Sequence, residues 1–219
     1  MKTYQAFKND PELKSAFMAQ MEWHREQDKI VGGIYGAEFN NGDFRGCFVG
    51  CSIHSLAVIQ GKKLTTSNHQ LLEDLLDIPV ELAHTGDAVF ESLPATKRPD
   101  FAVDFGAAIP VGADLKMVVP QFVYWMLIED AKPTRFPQFQ AFIDAVVALY
   151  EEWTRTGVRP SESTDLAYLA DRADLAYRAY RAYRAYLADR ADLADRAETS
   201  AAKLLDLLAA APVLTGGAK

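Results

Sequence analysis

The segment Arg45-Gly46-Cys47-Phe48-Val49-Gly50-Cys51-Ser52-Ile53-His54 holds both cysteines of the 219-residue chain and one of its four histidines. In a helix, Cys47 and Cys51 lie four residues apart and His54 follows three residues later, which predicts that all three share one face. Gly46 and Gly50 repeat this spacing, and small residues there let a neighbouring backbone come close. No other stretch of the sequence concentrates metal ligands and nucleophiles in this way, so the segment marks the candidate site.

The residues before this segment predict one helix and one small β-hairpin. Asp10-Pro11 is typical of a helix N-cap followed by proline in the first turn, and apolar residues recur at helical spacing to about Asp28. Two β-prone runs, 34–39 and 44–49, flank Asn41-Gly42, a dipeptide favoured in type I′ turns because both central residues need positive φ. The second run leads into the cysteine segment, where we expect a helix to begin.

The rest of the chain predicts further helices. Capping residues or prolines begin amphipathic stretches near residues 67, 79, 99, 114 and 137. Pro120 predicts a late start or a kink in the fourth stretch, because proline lacks the N–H that an inner helical position donates. The predicted fold class is mainly α: a single helical domain over residues 1–157 with one small β-hairpin, a linker over 158–165, and a long C-terminal amphipathic helix over 166–211.

The predicted C-terminal helix contains a triplet repeat with alanine at every third position from Ala167 to Ala197. At about 100° per residue, the leucine and tyrosine side chains of the repeat fall on one face and most of its charged side chains on the other. We expect the Leu and Tyr face to pack on the domain or on a second copy of the chain. Self-association, or binding of a protein partner, is therefore predicted through this helix.

The composition is that of an ordinary globular protein, with 49% hydrophobic, 11% aromatic and 24% charged residues. A net charge of −7 disfavours binding to nucleic acid or to anionic membranes. The N-terminus lacks the apolar core of a signal peptide, and no run approaches the roughly 18 apolar residues of a membrane span. We expect a cytoplasmic protein with reduced thiols and no membrane partner.

Two interpretations of the cysteine segment need no metal. In the first, Cys47 or Cys51 is a thiolate nucleophile, because a helix N-terminus lowers the pKa of a thiol. His24 or His54 would then be the base, and Asp28, one turn after His24, would orient its ring. In the second, both cysteines simply fill space between tightly packed helices, as buried free cysteines commonly do.

A third interpretation is a metal site, with Zn²⁺ as the ion, through Cys47, Cys51 and His54. This set departs from the usual Cys-x-x-Cys spacing and needs a distant fourth ligand, for which the sequence offers His24, His69 and His84. Apart from such an ion, the sequence predicts no cofactor.

The sequence lacks the best-marked enzyme motifs, including the P-loop, Gly-x-Gly-x-x-Gly, Gly-x-Ser-x-Gly and His-Glu-x-x-His. Their absence disfavours the nucleotide-binding, hydrolase and zincin classes that they mark. Glu91 lies on a predicted helix among apolar neighbours, and we interpret it as a solvated edge residue.

An uncharacterised family of phage and bacterial proteins resembles this chain in several motifs. They are Gly33-x-Tyr35, Gly46-Cys47-x-Val49-Gly50-Cys51-Ser52-x-His54, Ile78-Pro79, Phe90-Glu91-x-Leu93-Pro94 and Gly112-Ala113-Asp114-Leu115. The resemblance covers about residues 20–210, includes the Ala-rich segment, and extends to His24 and Asp28. This chain has a longer hairpin around Asn40–Gly42 and extra residues over 56–68. The resemblance implies a shared fold and site but no activity.

These observations leave three function hypotheses. The first is a small cytoplasmic thiol-dependent enzyme or modifier with a Cys/His site. The second is a phage or mobile-element protein that acts in binding or assembly and whose cysteines are structural. The third is a metal-binding module.

Overall fold

In the computed structural model the protein is mainly helical, as the sequence predicts. The structure describes residues 2–38, 43–130, 137–159 and 190–214. Within these ranges its α-helices are α1 (Pro11–Glu26), α2 (Phe48–Gln60), α3 (Gln70–Leu76), α4 (Val80–Ser92), α5 (Arg98–Ala108), α6 (Val118–Asp130), α7 (Pro137–Thr156) and α8 (Arg190–Ala209). A short 3₁₀ turn, Ala6–Asn9, precedes α1.

Helix α1 begins where the sequence predicts. The Asp10 side chain accepts hydrogen bonds from the backbone N–H groups of Glu12 at 2.8 Å and Leu13 at 3.2 Å, and Pro11 occupies the first turn. This cap satisfies two of the N–H groups that a helix start leaves without partners. Phe17, Met21 and His24 form the buried face of the helix.

The predicted hairpin is represented by a two-residue antiparallel pair, β1 (Ala37–Glu38) with β2 (Phe44–Arg45). The predicted turn lies within residues 39–42, which are outside the described residues. The predicted strand over 44–49 is too long, because the chain leaves the pair at Gly46. The Gly46 N–H donates to the Lys29 carbonyl and its own carbonyl accepts from the Val31 N–H.

Helix α2 is the central helix of the fold, packed against α1, α3, α4 and α5. Cys47 is its N-cap residue. Gly61 is its C-cap residue and adopts the left-handed conformation that favours glycine. Two polar residues are fully buried in it, Ser52 and Ser55. Each hydroxyl donates to the carbonyl four residues back, at 2.8 Å, so burial leaves neither donor unsatisfied.

Prolines begin the later helices largely as the sequence predicts. Pro79 is the N-cap residue of α4, and Pro99 lies in the first turn of α5. Helix α6 begins at Val118, so Pro120 falls in its first turn and the predicted late start is confirmed. Helix α7 begins at Pro137.

The C-terminal helix is confirmed over Arg190–Ala209, and residues 160–189 lie outside the described residues. Its buried side chains include Ala201, Leu204 and Leu208. Beyond the helix, the Asp114 N–H donates to the Pro212 carbonyl at 2.8 Å and the Leu214 N–H donates to the Gly112 carbonyl at 3.3 Å. The Leu and Tyr side chains of the repeat lie outside the described residues, so the predicted burial of that face and self-association both stay predictions.

The same loop, residues 112–114, also holds the N-terminal segment. The Ala6 N–H donates to the Ala113 carbonyl at 3.0 Å, and the Gly112 N–H donates to the Ala6 carbonyl at 2.9 Å. Two segments far apart in sequence therefore bind one short loop.

The chain divides into two compact units, one formed by residues 1–119 with 196–219 and the other by residues 120–195. The predicted linker over 158–165 lies mostly outside the described residues, so the predicted division at 157 and 165 stays a prediction. Among the helices that the structure describes, none has the length and apolar character needed to cross a bilayer.

Candidate functional site

Cys47 stands at the start of α2 with its side chain only 1% exposed. Its backbone N–H donates to the Ile34 carbonyl at 2.6 Å, which ties the helix start to the preceding loop. The backbone N–H groups of Gly50 and Val49, in the first turn of α2, act to lower the pKa of its thiol. The sequence thus places a buried thiol at the positive end of the central helix.

Two carboxylates of α4 lie beside this thiol. Asp87 and Glu91 are four residues apart on one helix face. The Sγ atom of Cys47 and one carboxylate oxygen from each acid all lie within 4.8 Å of one another. The packing of α2 against α4 therefore brings one sulfur and two oxygen atoms, all of ligand type, close together.

The two oxygens of Asp87 have different surroundings. Oδ2 lies 3.3 Å from Nε2 of His69, so the N–H at Nε2 donates a hydrogen bond to it. Oδ1 is buried and has no hydrogen-bond partner among the described residues. A buried carboxylate oxygen without a partner carries a desolvation penalty, so its position needs an explanation.

Glu91 is fixed from two sides. Its Oε1 accepts the Gly33 N–H at 2.9 Å, and its Oε2 lies 3.8 Å from Nη1 of Arg98. Arg98 is itself held by hydrogen bonds to the backbone carbonyls of Glu91 at 2.8 Å and Leu93 at 3.0 Å. The Glu91 side chain is 36% exposed, in agreement with its interpretation as a solvated edge residue, and it also links α4 to the loop before α2.

Tyr35 and His69 line the site beside Asp87. The Tyr35 ring meets the His69 ring edge-on, with centroids 5.5 Å apart, and Tyr35 is 46% exposed. The pKa of Tyr35 is raised, first by the Asp87 carboxylate and then by burial, with smaller contributions from Cys47 and Glu91. The exposed edge of the site is thus a phenol, and its inner part is the thiol and the carboxylates.

The pKa of the Cys47 thiol is raised to about 12, chiefly because burial disfavours the thiolate. The N–H groups of Gly50 and Val49 act in the opposite direction, and Asp87 adds to the rise. At neutral pH the thiol is therefore protonated in the metal-free protein. This environment is the reverse of the electropositive one that activates a cysteine nucleophile.

Cys51 has a structural environment. It is fully buried, and its thiol donates to the Gly46 carbonyl, with a sulfur–oxygen distance of 3.3 Å. Burial, and then Cys47, raise the pKa of this thiol. The contacts of Cys51 match the space-filling interpretation.

His24 and His54 contact each other instead of the Cys47 site. Nδ1 of His54 lies 3.2 Å from Nε2 of His24, and the His54 ring stacks on Phe44 with centroids 4.0 Å apart. His24 is fully buried, and burial together with His54 and Lys29 lowers its pKa to about 4. An imidazole pair therefore lies between α1 and α2, and its His24 member is neutral at neutral pH.

Asp28 does not orient the His24 ring. Helix α1 ends at Glu26, and Asp28 has a φ of 51° and is exposed to solvent. Nε2 of His24 faces His54, and Nδ1 has no hydrogen-bond partner in the part of the chain that the structure describes. The predicted role of Asp28 is wrong, because it requires α1 to continue one full turn beyond His24. The helix ends at Glu26, so the Asp28 carboxylate is not placed beside the His24 ring.

The metal set predicted from spacing is also not assembled. Among the described residues, the ligand atoms that gather within 4.8 Å are those of Cys47, Asp87 and Glu91, and the set of Cys47, Cys51 and His54 does not do so. The error arises at the helix start: Cys47 is the N-cap residue with extended φ and ψ, so helical spacing does not apply to it.

Sequence reasoning missed Asp87 and Glu91 as neighbours of Cys47, although it offered His69 as a distant ligand. The four-residue spacing of Asp87 and Glu91 was a signal, because it places two acids on one face of an otherwise apolar helix. Nothing in the sequence, however, indicates which helix faces α2.

Comparisons with protein families, with curated proteins and with solved structures find no match for this chain, so the resemblance drawn from its motifs stays a prediction.

Proposed function

We propose that this protein is a metal-binding module in which Cys47, Asp87 and Glu91 hold one divalent transition-metal ion. The observation that carries this proposal is the approach of three ligand atoms within 4.8 Å of one another, together with the buried Asp87 oxygen that has no partner among the described residues. An ion bound through Oδ1 of Asp87 would satisfy that oxygen. Exposed acidic groups often cluster without an ion, but the Cys47 thiol here is 1% exposed.

The ligand types select the class of metal. A thiolate with two carboxylates suits Zn²⁺ and Co²⁺, whereas Mg²⁺ and Ca²⁺ prefer oxygen ligands throughout. Zinc binds sulfur at about 2.3 Å and carboxylate oxygen at about 2.0–2.2 Å, so the three side chains need only small rotamer changes to converge. Three protein ligands leave a fourth position open, as in zinc sites that bind a water molecule or a substrate.

The electrostatics support a cation at this position. A thiolate and two carboxylates would together carry three negative charges in a largely buried space, and each disfavours ionisation of the others. A divalent ion reverses this effect and favours the thiolate. The hydrogen bonds from the Gly33 N–H and from His69 hold the carboxylates in place without neutralising them.

Metal content and ligand variants test the proposal. Purified full-length protein should contain about one equivalent of zinc, and Co²⁺ should give a sulfur-to-metal charge-transfer band. Cys47→Ser should abolish that band, whereas Cys51→Ser, a matched change four residues away, should retain it. Asp87→Asn and Glu91→Gln should weaken Zn²⁺ binding. Equal Zn²⁺ affinity in wild type and Cys47→Ser would refute the proposed site.

A thiol-dependent enzyme with Cys47 as nucleophile is the second candidate. The observation that favours it is the position of Cys47 at the start of α2, where the backbone N–H groups of Gly50 and Val49 favour the thiolate. His69, bound to Asp87, would be the nearby imidazole in place of His24 and His54. A cytoplasmic location, as predicted, would keep the thiol reduced.

Mild iodoacetamide treatment at neutral pH, followed by intact mass measurement, separates the two candidates. An activated thiol in metal-free protein should be alkylated at one site, and Cys47→Ser should abolish this. The metal proposal instead expects both buried thiols to remain unmodified, with or without Zn²⁺.

A further inference from the structure

We infer that His69 is a positioning residue for the proposed metal site: it binds one oxygen of Asp87 and so aims the other at the metal ion. This inference rests on the metal-binding function proposed above. It adds a residue that does not bind the ion itself but fixes the orientation in which the Asp87 carboxylate binds it.

The geometry of Asp87 carries the first step. Its Oδ2 lies 3.3 Å from Nε2 of His69, and its Oδ1 is buried with no hydrogen-bond partner among the described residues. Because Oδ2 already accepts a hydrogen bond, Oδ1 is the oxygen with both lone pairs available to a metal ion. Asp87 would therefore bind through a single oxygen in a fixed orientation, which is what a site with few ligands requires for a defined geometry.

The His69 ring is held so that it can perform this role. The side chain is 6% exposed, and the residue immediately precedes α3. One ring face stacks on His84, with centroids 3.9 Å apart and an angle of 18° between the rings. The Tyr35 ring meets His69 edge-on at 5.5 Å. These contacts restrict rotation of the imidazole, so its N–H keeps pointing at Asp87.

A purely structural role for His69 is the competing explanation. In that case the side chain only joins the segment before α3 to α4, and its loss lowers stability without changing the metal. The two explanations predict different visible spectra for the Co²⁺ form of the variant. A change in the orientation of Asp87 alters the ligand field of bound Co²⁺, whereas a general loss of stability does not.

The test compares full-length wild type with His69→Leu, His69→Gln and the control His54→Leu, using Zn²⁺ titration and the visible spectrum of the Co²⁺ form. His69→Leu should weaken Zn²⁺ binding by about 10–100-fold, the usual effect of removing a hydrogen-bond partner of a metal ligand. It should also shift the visible Co²⁺ bands. His69→Gln keeps an amide donor and should restore most of the affinity. His54 contacts His24 and not the proposed site, so His54→Leu should leave both readouts near those of wild type.

The outcomes separate this inference from the function it rests on. If wild type binds no Zn²⁺, the proposed function itself fails. If wild type binds Zn²⁺ and His69→Leu matches it in affinity and Co²⁺ spectrum, the positioning role is overturned. If His69→Leu does not fold, His69→Gln and His69→Asn decide. Weaker binding by the shorter asparagine supports the inference, and equal binding by both overturns it.

Discussion

The carbonyl oxygen of Tyr35 lies directly against the Cα atom of Gly50, so that a methyl group added there would overlap it. We predict that Gly50→Ala lowers the free energy of unfolding by about 3 kcal/mol or more, because the obstacle is backbone and not a flexible side chain. The loop carrying Tyr35 would have to move away from α2. Chemical denaturation followed by circular dichroism measures the change.

Gly106→Ala is the matched control for this substitution. Gly106 is also a buried helical glycine, but the nearest atom to an added methyl is the Met18 sulfur at 2.8 Å, and a methionine side chain can rotate away. Alanine is the better helix former by roughly 1 kcal/mol, so this variant should stay within about 1 kcal/mol of wild type. Similar decreases in the free energy of unfolding of both variants would show that the contact with Tyr35 does not make Gly50→Ala more destabilising than Gly106→Ala.

Zinc binding should release a proton from Cys47. The pKa of this thiol is raised to about 12 by burial and by Asp87, so it is protonated in the metal-free protein and must ionise to bind the metal. The Zn²⁺ affinity should therefore rise about tenfold per pH unit near neutrality. Calorimetry in buffers of different ionisation enthalpy counts the proton released. An affinity independent of pH would argue against Cys47 as a ligand.

Acid should destabilise the protein through His24. Its pKa is lowered from 6.5 to about 4, chiefly by burial, so the unfolded chain binds a proton that the folded protein does not. This contribution is fully present above pH 6.5 and is lost as the pH falls from 6.5 towards 4, by about 2 kcal/mol between pH 7 and pH 5. His24→Leu should lose less stability over this range. An equal loss in both proteins would assign the acid sensitivity to other groups.

Leu204 anchors α8 and offers a matched pair with its neighbour. Leu204 is fully buried, whereas Leu205 is partly exposed. Leu204→Ala should lower the free energy of unfolding by about 2–5 kcal/mol, because it leaves a cavity in the core, and Leu205→Ala should lower it by less. Denaturant titration of both variants measures this difference. Equal small effects would mean that α8 adds little to the stability of the first unit.

Most of the helices could be predicted from sequence because their boundaries depend on local chemistry. The Asp10 cap, the left-handed Gly61 and the prolines at helix starts act within one or two turns, so the chain itself carries the signal. The close approach at Gly50 was predictable for the same reason, although its partner, Tyr35, was not.

The candidate site was only partly predictable, because it depends on which helices meet. The sequence indicated Cys47 as a candidate site residue but paired it with Cys51 and His54, on the assumption that helical spacing extends to the first residue. The partners Asp87 and Glu91 come from α4, and that contact is a property of the packed core. Spacing rules describe one helix at a time.

The loop over residues 112–114 has a consequence for synthesis of the chain on the ribosome. It pairs with Ala6 on one side and with Pro212 and Leu214 on the other, and residues 120–195 lie between these partners in sequence. At roughly 5–20 residues per second, the second set of bonds can form only several seconds after the first. The side chains of the candidate metal centre all lie between Gly33 and Arg98. The ribosome therefore synthesises all three proposed ligands well before the C-terminal segment that binds residues 112–114.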